Sequence, residues 1–161
     1  MYEWVLFFHV VGALVFMMSH GVSIFVAFQL QQEREVDRIR ALMDLSTLSL
    51  RGTWGSILLL LAAGIALGFM GKWWSQGWLW VSIGIIIIVA VSMFIISARA
   101  YYPLRTAVGL PDPWTKTDEL GEVADDDEIR TLIKAGHPQL MAIIGLGGLF
   151  IILGLMMFKP F

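Results

Sequence analysis

The sequence predicts an all-α fold: a polytopic membrane protein built as a four-transmembrane-helix bundle, with short surface helices on the cytoplasmic side. Hydrophobic residues make up 58% of the 161 residues and charged residues 15%, whereas soluble domains carry roughly 25% charged residues. Four uncharged runs, at 4–32, 52–71, 73–98 and 135–158, each reach the roughly 20 residues that a helix needs to cross the hydrocarbon core.

The four runs predict helices rather than the strands of a barrel. Lipid offers backbone groups no hydrogen-bond partner, so a span must be a helix or part of a closed barrel. The continuous apolar run at 85–89 lacks the alternation of a barrel strand. We therefore expect a single domain over 1–161, with spans at about 4–30, 53–71, 77–98 and 138–158 and a cytoplasmic loop at 99–137.

The first span is expected to be retained rather than cleaved as a signal peptide. It has no basic start, it carries Glu3 there, and its apolar run is too long for a leader. The segment 32–46 that follows places Val36, Ile39 and Met43 on one face, which indicates a short helix. We interpret this helix as a continuation of the first span beyond the membrane.

A second short helix is predicted over 125–136. It starts with the acidic run 125–128, which favours a helix N-terminus through the helix dipole, and Gly136 and Pro138 supply the stop. The acidic run could instead bind a cation, but its spacing matches no calcium loop.

The distribution of basic residues predicts the orientation in a bacterial cytoplasmic (inner) membrane. Nine of the eleven lie in the first and third connections: Arg34, Arg38, Arg40, Arg51, Arg99, Arg105, Lys116, Arg130 and Lys134. Because Lys and Arg resist translocation, both termini and the Lys72 loop are expected outside the cytoplasm. The tryptophans at 73, 74, 78 and 80 fit an aromatic belt at that outer interface.

Two histidines in the first span are the candidates for chemistry, because an ionisable residue in a membrane is costly unless it is used. His9 and His20 are eleven residues apart, which places them within roughly 20° of each other and about 16 Å apart along the axis. Gly12, Ala13 and Phe16 lie on the same face. Two imidazoles beside mostly small side chains leave room for a flat group or for another helix.

Three interpretations of these histidines stay open on their chemistry alone. Either or both could ligate haem iron within the bundle, they could be neutral imidazoles bonded across a helix interface, or they could form a proton relay. Copper is an alternative metal because thioethers are soft ligands, and methionines occur in pairs at 17–18 and 156–157. Cysteine is absent, which excludes thiolate ligation.

The opening of the chain, with Tyr2, Trp4 and His9, resembles the first helix of the HemJ-type protoporphyrinogen oxidases. The four-span hydropathy is similar to the wider HemJ/CopD-like four-helix integral membrane family. This resemblance implies that His9 is a haem b axial ligand. The first helix lacks the basic residue expected at its end, and the third span holds no lysine. These departures argue against porphyrinogen oxidation as the activity of this chain. They make the uncharacterised predicted integral membrane proteins of that group the better match.

The sequence thus leads to a haem b-binding membrane protein for electron transfer or membrane-linked oxidation, an oxidoreductase if it is an enzyme. His9 and His20 are the expected metal ligands, and Gly12, Ala13 and Phe16 the expected haem contacts. The alternatives are a copper-handling, transporter-like protein and a non-catalytic subunit of a larger complex. The expected partners are the lipid bilayer, a quinone or other redox partner, and further copies in a homo-oligomer or a complex, with no nucleic acid.

Overall fold

The computed structural model describes residues 1–111 and 120–161. All regular structure in these two ranges is helical, and four helices are long and apolar enough to cross a membrane, which confirms the predicted fold class. The helices are α1 (Tyr2–Leu30), α2 (Val36–Gly71), α3 (Gly77–Ile96), α4 (Tyr102–Ala107), α5 (Asp126–Lys134) and α6 (Pro138–Phe158). Short 3₁₀ and π-helical segments occupy Trp73–Ser75 and Ser97–Tyr101.

The segment 32–46 does not continue the first span, so that interpretation was wrong. Helix α1 ends at Leu30, the chain turns, and α2 then runs without a break from Val36 to Gly71. The turn is held by the Glu33 carboxylate, which accepts hydrogen bonds from the backbone N–H groups of Glu35 and Arg34. These donors lower the pKa of the Glu33 side chain below its ordinary value, with the Glu35 N–H as the larger cause.

The long helices form two antiparallel pairs. Helix α1 packs along α2, α3 packs on α6, and α6 also contacts α1. One end of the bundle therefore carries the N-terminus of α1 and the connection between α2 and α3, and we call it the tryptophan end. The other end carries α4 and α5, and we call it the polar end. The predicted separation of Lys72 from most basic residues follows from this topology. Lys116, counted in that prediction, lies outside the described residues.

Small and hydroxylated residues bring α1 and α2 into close contact. Ser23 and Ser49 lie with their Oγ atoms 2.7 Å apart, and a Cβ on Gly52 would lie 2.6 Å from the Ser19 Oγ. Farther along, a Cβ on Gly12 would lie 3.2 Å from the Leu60 side chain. The contacts step forward along α1 as they step back along α2, which fixes the antiparallel register of the pair.

The polar end has a hydrophobic core like that of a soluble domain. Its buried members come from α1, α2, α4, α5 and the loop after α4: Val26, Leu30, Ile39, Met43, Leu104, Ala107, Val108, Leu110, Ile129 and Ile133. Helix α5 begins as predicted, because the Asp125 carboxylate accepts hydrogen bonds from the backbone N–H groups of Asp127 and Glu128. This N-cap presents Ile129 and Ile133 to the core.

Two arginines attach the loop after α4 to helix α2. Arg105 is buried, and its guanidinium donates hydrogen bonds to the Pro111 carbonyl at 2.7 Å and to Asp44 and Thr47 at 3.1 Å each. Arg40 donates to the Val108 carbonyl at 2.7 Å. A buried guanidinium is tolerated here because the loop and α2 together supply acceptors for its Nε and Nη1 donors.

Replacing Arg105 by Met should loosen this attachment. Its hydrogen bonds are charge-assisted, and Asp44 is largely exposed, so we expect a loss of about 2 kcal/mol of folding free energy. The thermal midpoint in detergent should fall by several degrees. Arg99→Met, at an exposed position near the start of the same connection, is the matched control and should leave the midpoint unchanged. Equal midpoints for the two variants would contradict this role of Arg105.

Candidate functional site

His9 lies half-buried between α1 and α2. Its Nδ1 is 3.2 Å from the Leu60 carbonyl oxygen, and a Cβ on Gly64 would lie 3.3 Å from its Cε1. A carbonyl oxygen can only accept, so Nδ1 carries the hydrogen and donates it. In the neutral imidazole, Nε2 is then the nitrogen with the free lone pair.

The Nε2 atom of His9 is not enclosed by the protein. Within the described parts of the chain, two side-chain nitrogens are both buried and without a hydrogen-bond partner, namely Nε2 of His20 and Nε1 of Trp74. Nε2 of His9 also has no hydrogen-bond partner in the described residues, but unlike those two nitrogens it is not fully buried. Nε2 of His9 is therefore at least partly accessible from outside the protein.

His20 faces a different helix and is closed off. It is 8% exposed, and its ring stacks on Phe16 with centroids 6.0 Å apart and planes 3° from parallel. A Cβ on Gly145 of α6 would lie 1.9 Å from Nε2 and 2.9 Å from both Cδ2 and Cε1. These distances put the Cβ position on the outward axis of the ring at Nε2, which is the direction in which a bound metal must lie.

Nε2 of His20 does not fit as an iron-binding nitrogen in this arrangement. A metal on an imidazole nitrogen sits about 2 Å away, and at His20 that point is where the Gly145 Cβ would be. The α6 backbone thus excludes an ion unless the helix moves away. The orphaned Nε2 forms a close contact between α1 and α6, in keeping with the small-residue helix contacts of membrane proteins.

The remaining expected haem contacts are divided among three environments. Gly12 packs on Leu60 of α2, Phe16 is buried beside His20, and Ala13 is exposed. The helix face shared by His9 and His20 therefore contacts two different helices, α2 at His9 and α6 at His20. Helical spacing predicted the face, but the division between two neighbouring helices depends on tertiary packing.

The copper alternative stays a prediction. In 1–111 and 120–161, no three His, Cys, Asp or Glu side chains are grouped so that they could hold a metal ion. Met17, Met18 and Met157 are exposed on the helix surfaces. His137 is exposed as well, at the N-cap of α6.

Two residues that shape the site, Gly64 and Gly145, were not paired with the histidines at the sequence level. Each provides the surface against which one imidazole rests. The sequence signal was the presence of small residues in the second and fourth spans, but their register against α1 could not be derived from hydropathy.

Comparison of this chain with protein-family models, with curated proteins and with solved structures finds no match. The resemblance to the HemJ/CopD-like family therefore stays a prediction.

Gly145→Ala tests the contact at His20. The added methyl group would overlap Nε2, and overpacking of this kind typically costs 1–3 kcal/mol, so the thermal midpoint should fall. Gly147→Ala is the matched control, because nothing lies within 4 Å of a Cβ there. Combining Gly145→Ala with His20→Ala should recover part of the loss. A Gly145→Ala protein as stable as the Gly147→Ala protein would contradict the contact.

Proposed function

We propose that this chain is a haem b-binding membrane protein in which His9 is an axial ligand, and that it serves electron transfer or an oxidation within the membrane. The observation that carries the proposal is the hydrogen bond from Nδ1 of His9 to the Leu60 carbonyl. It leaves Nε2 as the basic nitrogen, outside the enclosed core.

Metal-binding histidines generally use their second nitrogen in this way. A donated N–H fixes the tautomer, orients the ring and makes the ligating nitrogen more basic. At His9 the acceptor is a backbone carbonyl of a long helix, and Gly64 lets the ring lie close to that helix. The α1–α2 pair would therefore present the imidazole in one orientation without any rearrangement.

The residues of this chain would bind and orient the group, while bound haem would supply the one-electron chemistry. His9 provides one ligand. In the antiparallel arrangement of α1 and α6, the half-buried Met156 lies near the depth of His9, since eleven residues separate it from Gly145 just as eleven separate His9 from His20. Met156 is the candidate for a second ligand from this chain, and a quinone or another redox partner would exchange electrons at the same depth.

A non-catalytic subunit is the second candidate function, and one observation favours it. Nothing lies within 4 Å of a Cβ placed on five glycines that are distributed over all four long helices: Gly21, Gly55, Gly84, Gly147 and Gly154. Open glycines of this kind permit close approach of further helices. A homo-oligomer or a larger complex would use these faces. For either function, we propose the bacterial inner membrane as the location.

Optical spectra of the purified protein test the haem proposal. After haem-supplemented expression, the wild type should show a Soret band and reduced-minus-oxidised α and β bands. His9→Leu should lose them, because the ligand is removed. His20→Leu is the matched control and should keep them, because its Nε2 faces Gly145.

Gly64→Ala refines the test, since the added methyl would press on the His9 ring. It should shift the Soret band or the midpoint potential, whereas Gly55→Ala should change neither. A wild-type preparation without a Soret band would end the haem proposal and leave the subunit role. A spectrum that depends on His20 and not on His9 would also contradict it.

A further inference from the structure

The tryptophan end contains a second group of side chains that the proposed function does not use. The rings of Trp73 and Trp78 lie 5.7 Å apart between centroids, inclined at 60°. The Lys159 ammonium lies 4.1 Å from the centroid of Trp73 and 5.8 Å from that of Trp78. We call these two rings the tryptophan cage.

The two rings of the tryptophan cage are held by packing against neighbouring residues. Trp78 is 1% exposed at the start of α3, and the Trp73 ring lies so close to Gly71 that a Cβ there would be 2.3 Å from the ring. Both rings are therefore packed closely against the rest of the protein. A preformed pair of aromatic faces is the usual means by which proteins bind organic cations.

Lys159 is held in the cage without a counterion. No ion pair between Lys159 and a carboxylate occurs within the described ranges. The attraction therefore comes from the ring faces, which favour weakly hydrated ammonium groups over strongly hydrated inorganic cations. The ring faces thus suit an organic ammonium group, and the lysine ammonium is one such group.

The segment 159–161 that delivers this ammonium is exposed. Lys159 ends α6 in the left-handed conformation, with φ of 45°, an uncommon backbone state for a residue other than glycine. Phe161 then accepts a hydrogen bond at its carbonyl from the Trp78 N–H at 3.2 Å, and its ring covers Gly77. All three residues of 159–161 are exposed, so the segment can leave while the cage stays in place.

We propose that the tryptophan cage is a binding site for an organic ammonium group, which Lys159 fills in this structure and which a ligand ammonium fills when residues 159–161 are released. The site is independent of the haem proposal. Tryptophans at the end of a membrane bundle lie at the depth of lipid headgroups, so choline and ethanolamine headgroups carry the required chemistry. A free organic cation carries it as well.

The test uses the full chain labelled with 5-fluorotryptophan, in a detergent without an ammonium group. Fluorine NMR resolves the seven tryptophans, and single substitutions assign them. Tetramethylammonium chloride is titrated against sodium chloride at equal ionic strength. In Lys159→Gln the resonances of Trp73 and Trp78 should shift and saturate. In the wild type and in Lys159→Arg the apparent affinity should be at least tenfold weaker, because the attached cation competes.

Two further substitutions in the Lys159→Gln background locate the site. Trp73→Leu should abolish the saturable shift at Trp78. Trp80→Leu is the matched control, because Trp80 is exposed on the other side of the hairpin, where it bonds Trp74, and the titration should persist. The proposal is overturned if Lys159→Gln gives no saturable shift, if the wild type binds equally well, or if Trp73→Leu still binds. Unfolding of both Lys159→Gln and Lys159→Met would also overturn the proposal, because Lys159 would then be required for folding and would not occupy a ligand site.

The source of the ammonium is determined in nanodiscs with Lys159→Gln. A shift at Trp73 and Trp78 in phosphatidylcholine discs, compared with phosphatidylglycerol discs, would identify the lipid headgroup as the ligand. Equal spectra in the two lipids, with a shift on adding tetramethylammonium, would identify a free cation. If neither the lipid nor tetramethylammonium shifts the resonances of Trp73 and Trp78, the site is refuted. The haem spectrum of the same protein would be unaffected.

Discussion

The structure depends on one constraint: polar groups on α1 lie where water cannot reach them, so another helix must satisfy or enclose them at short range. His9 donates to a carbonyl of α2, and Ser23 bonds Ser49 across the same interface. A side chain at Gly145 would force α1 and α6 apart, and one at Gly64 would press on the His9 ring. The polar groups thus set the spacing and the register of the bundle, which hydrophobicity alone does not do in lipid.

Helix α1 consequently belongs to two interfaces that differ in chemistry. Toward α2, His9 and Ser23 have hydrogen-bond partners, whereas toward α6 the Nε2 of His20 has none among the described residues. The haem proposal assigns the ligand role to the partnered imidazole, because its hydrogen bond to Leu60 fixes the tautomer and its second nitrogen is not fully buried. The polar end is stabilised differently, by a buried apolar core and by Arg105, since water is available around it. A membrane bundle and a small soluble-type core are therefore joined in one chain.

The architecture was predictable because the cost of a charge in lipid is large, so uncharged runs mark the spans. The expected fourth span, 138–158, coincides with α6 (Pro138–Phe158). The acidic run predicted the helix start that Asp125 caps. The interpretation of 32–46 was wrong because an amphipathic pattern does not reveal which neighbouring span it joins. The histidine face followed from helical period, but the separate partners Gly64 and Gly145 depend on register between helices. That register arises from tertiary contacts and carries no local sequence signal.

The α1–α2 register is the claim on which the orientation of His9 rests, and disulfide formation between introduced cysteines tests it most directly. The chain has no native cysteine, so the pairs are unambiguous. Ser23→Cys with Ser49→Cys should cross-link almost completely under mild oxidation, because the two Oγ atoms lie 2.7 Å apart. Ser23→Cys with Ser56→Cys, two turns farther along α2, should stay reduced. Cross-linking of the second pair in preference to the first would contradict the register and, with it, the placement of His9 against Leu60.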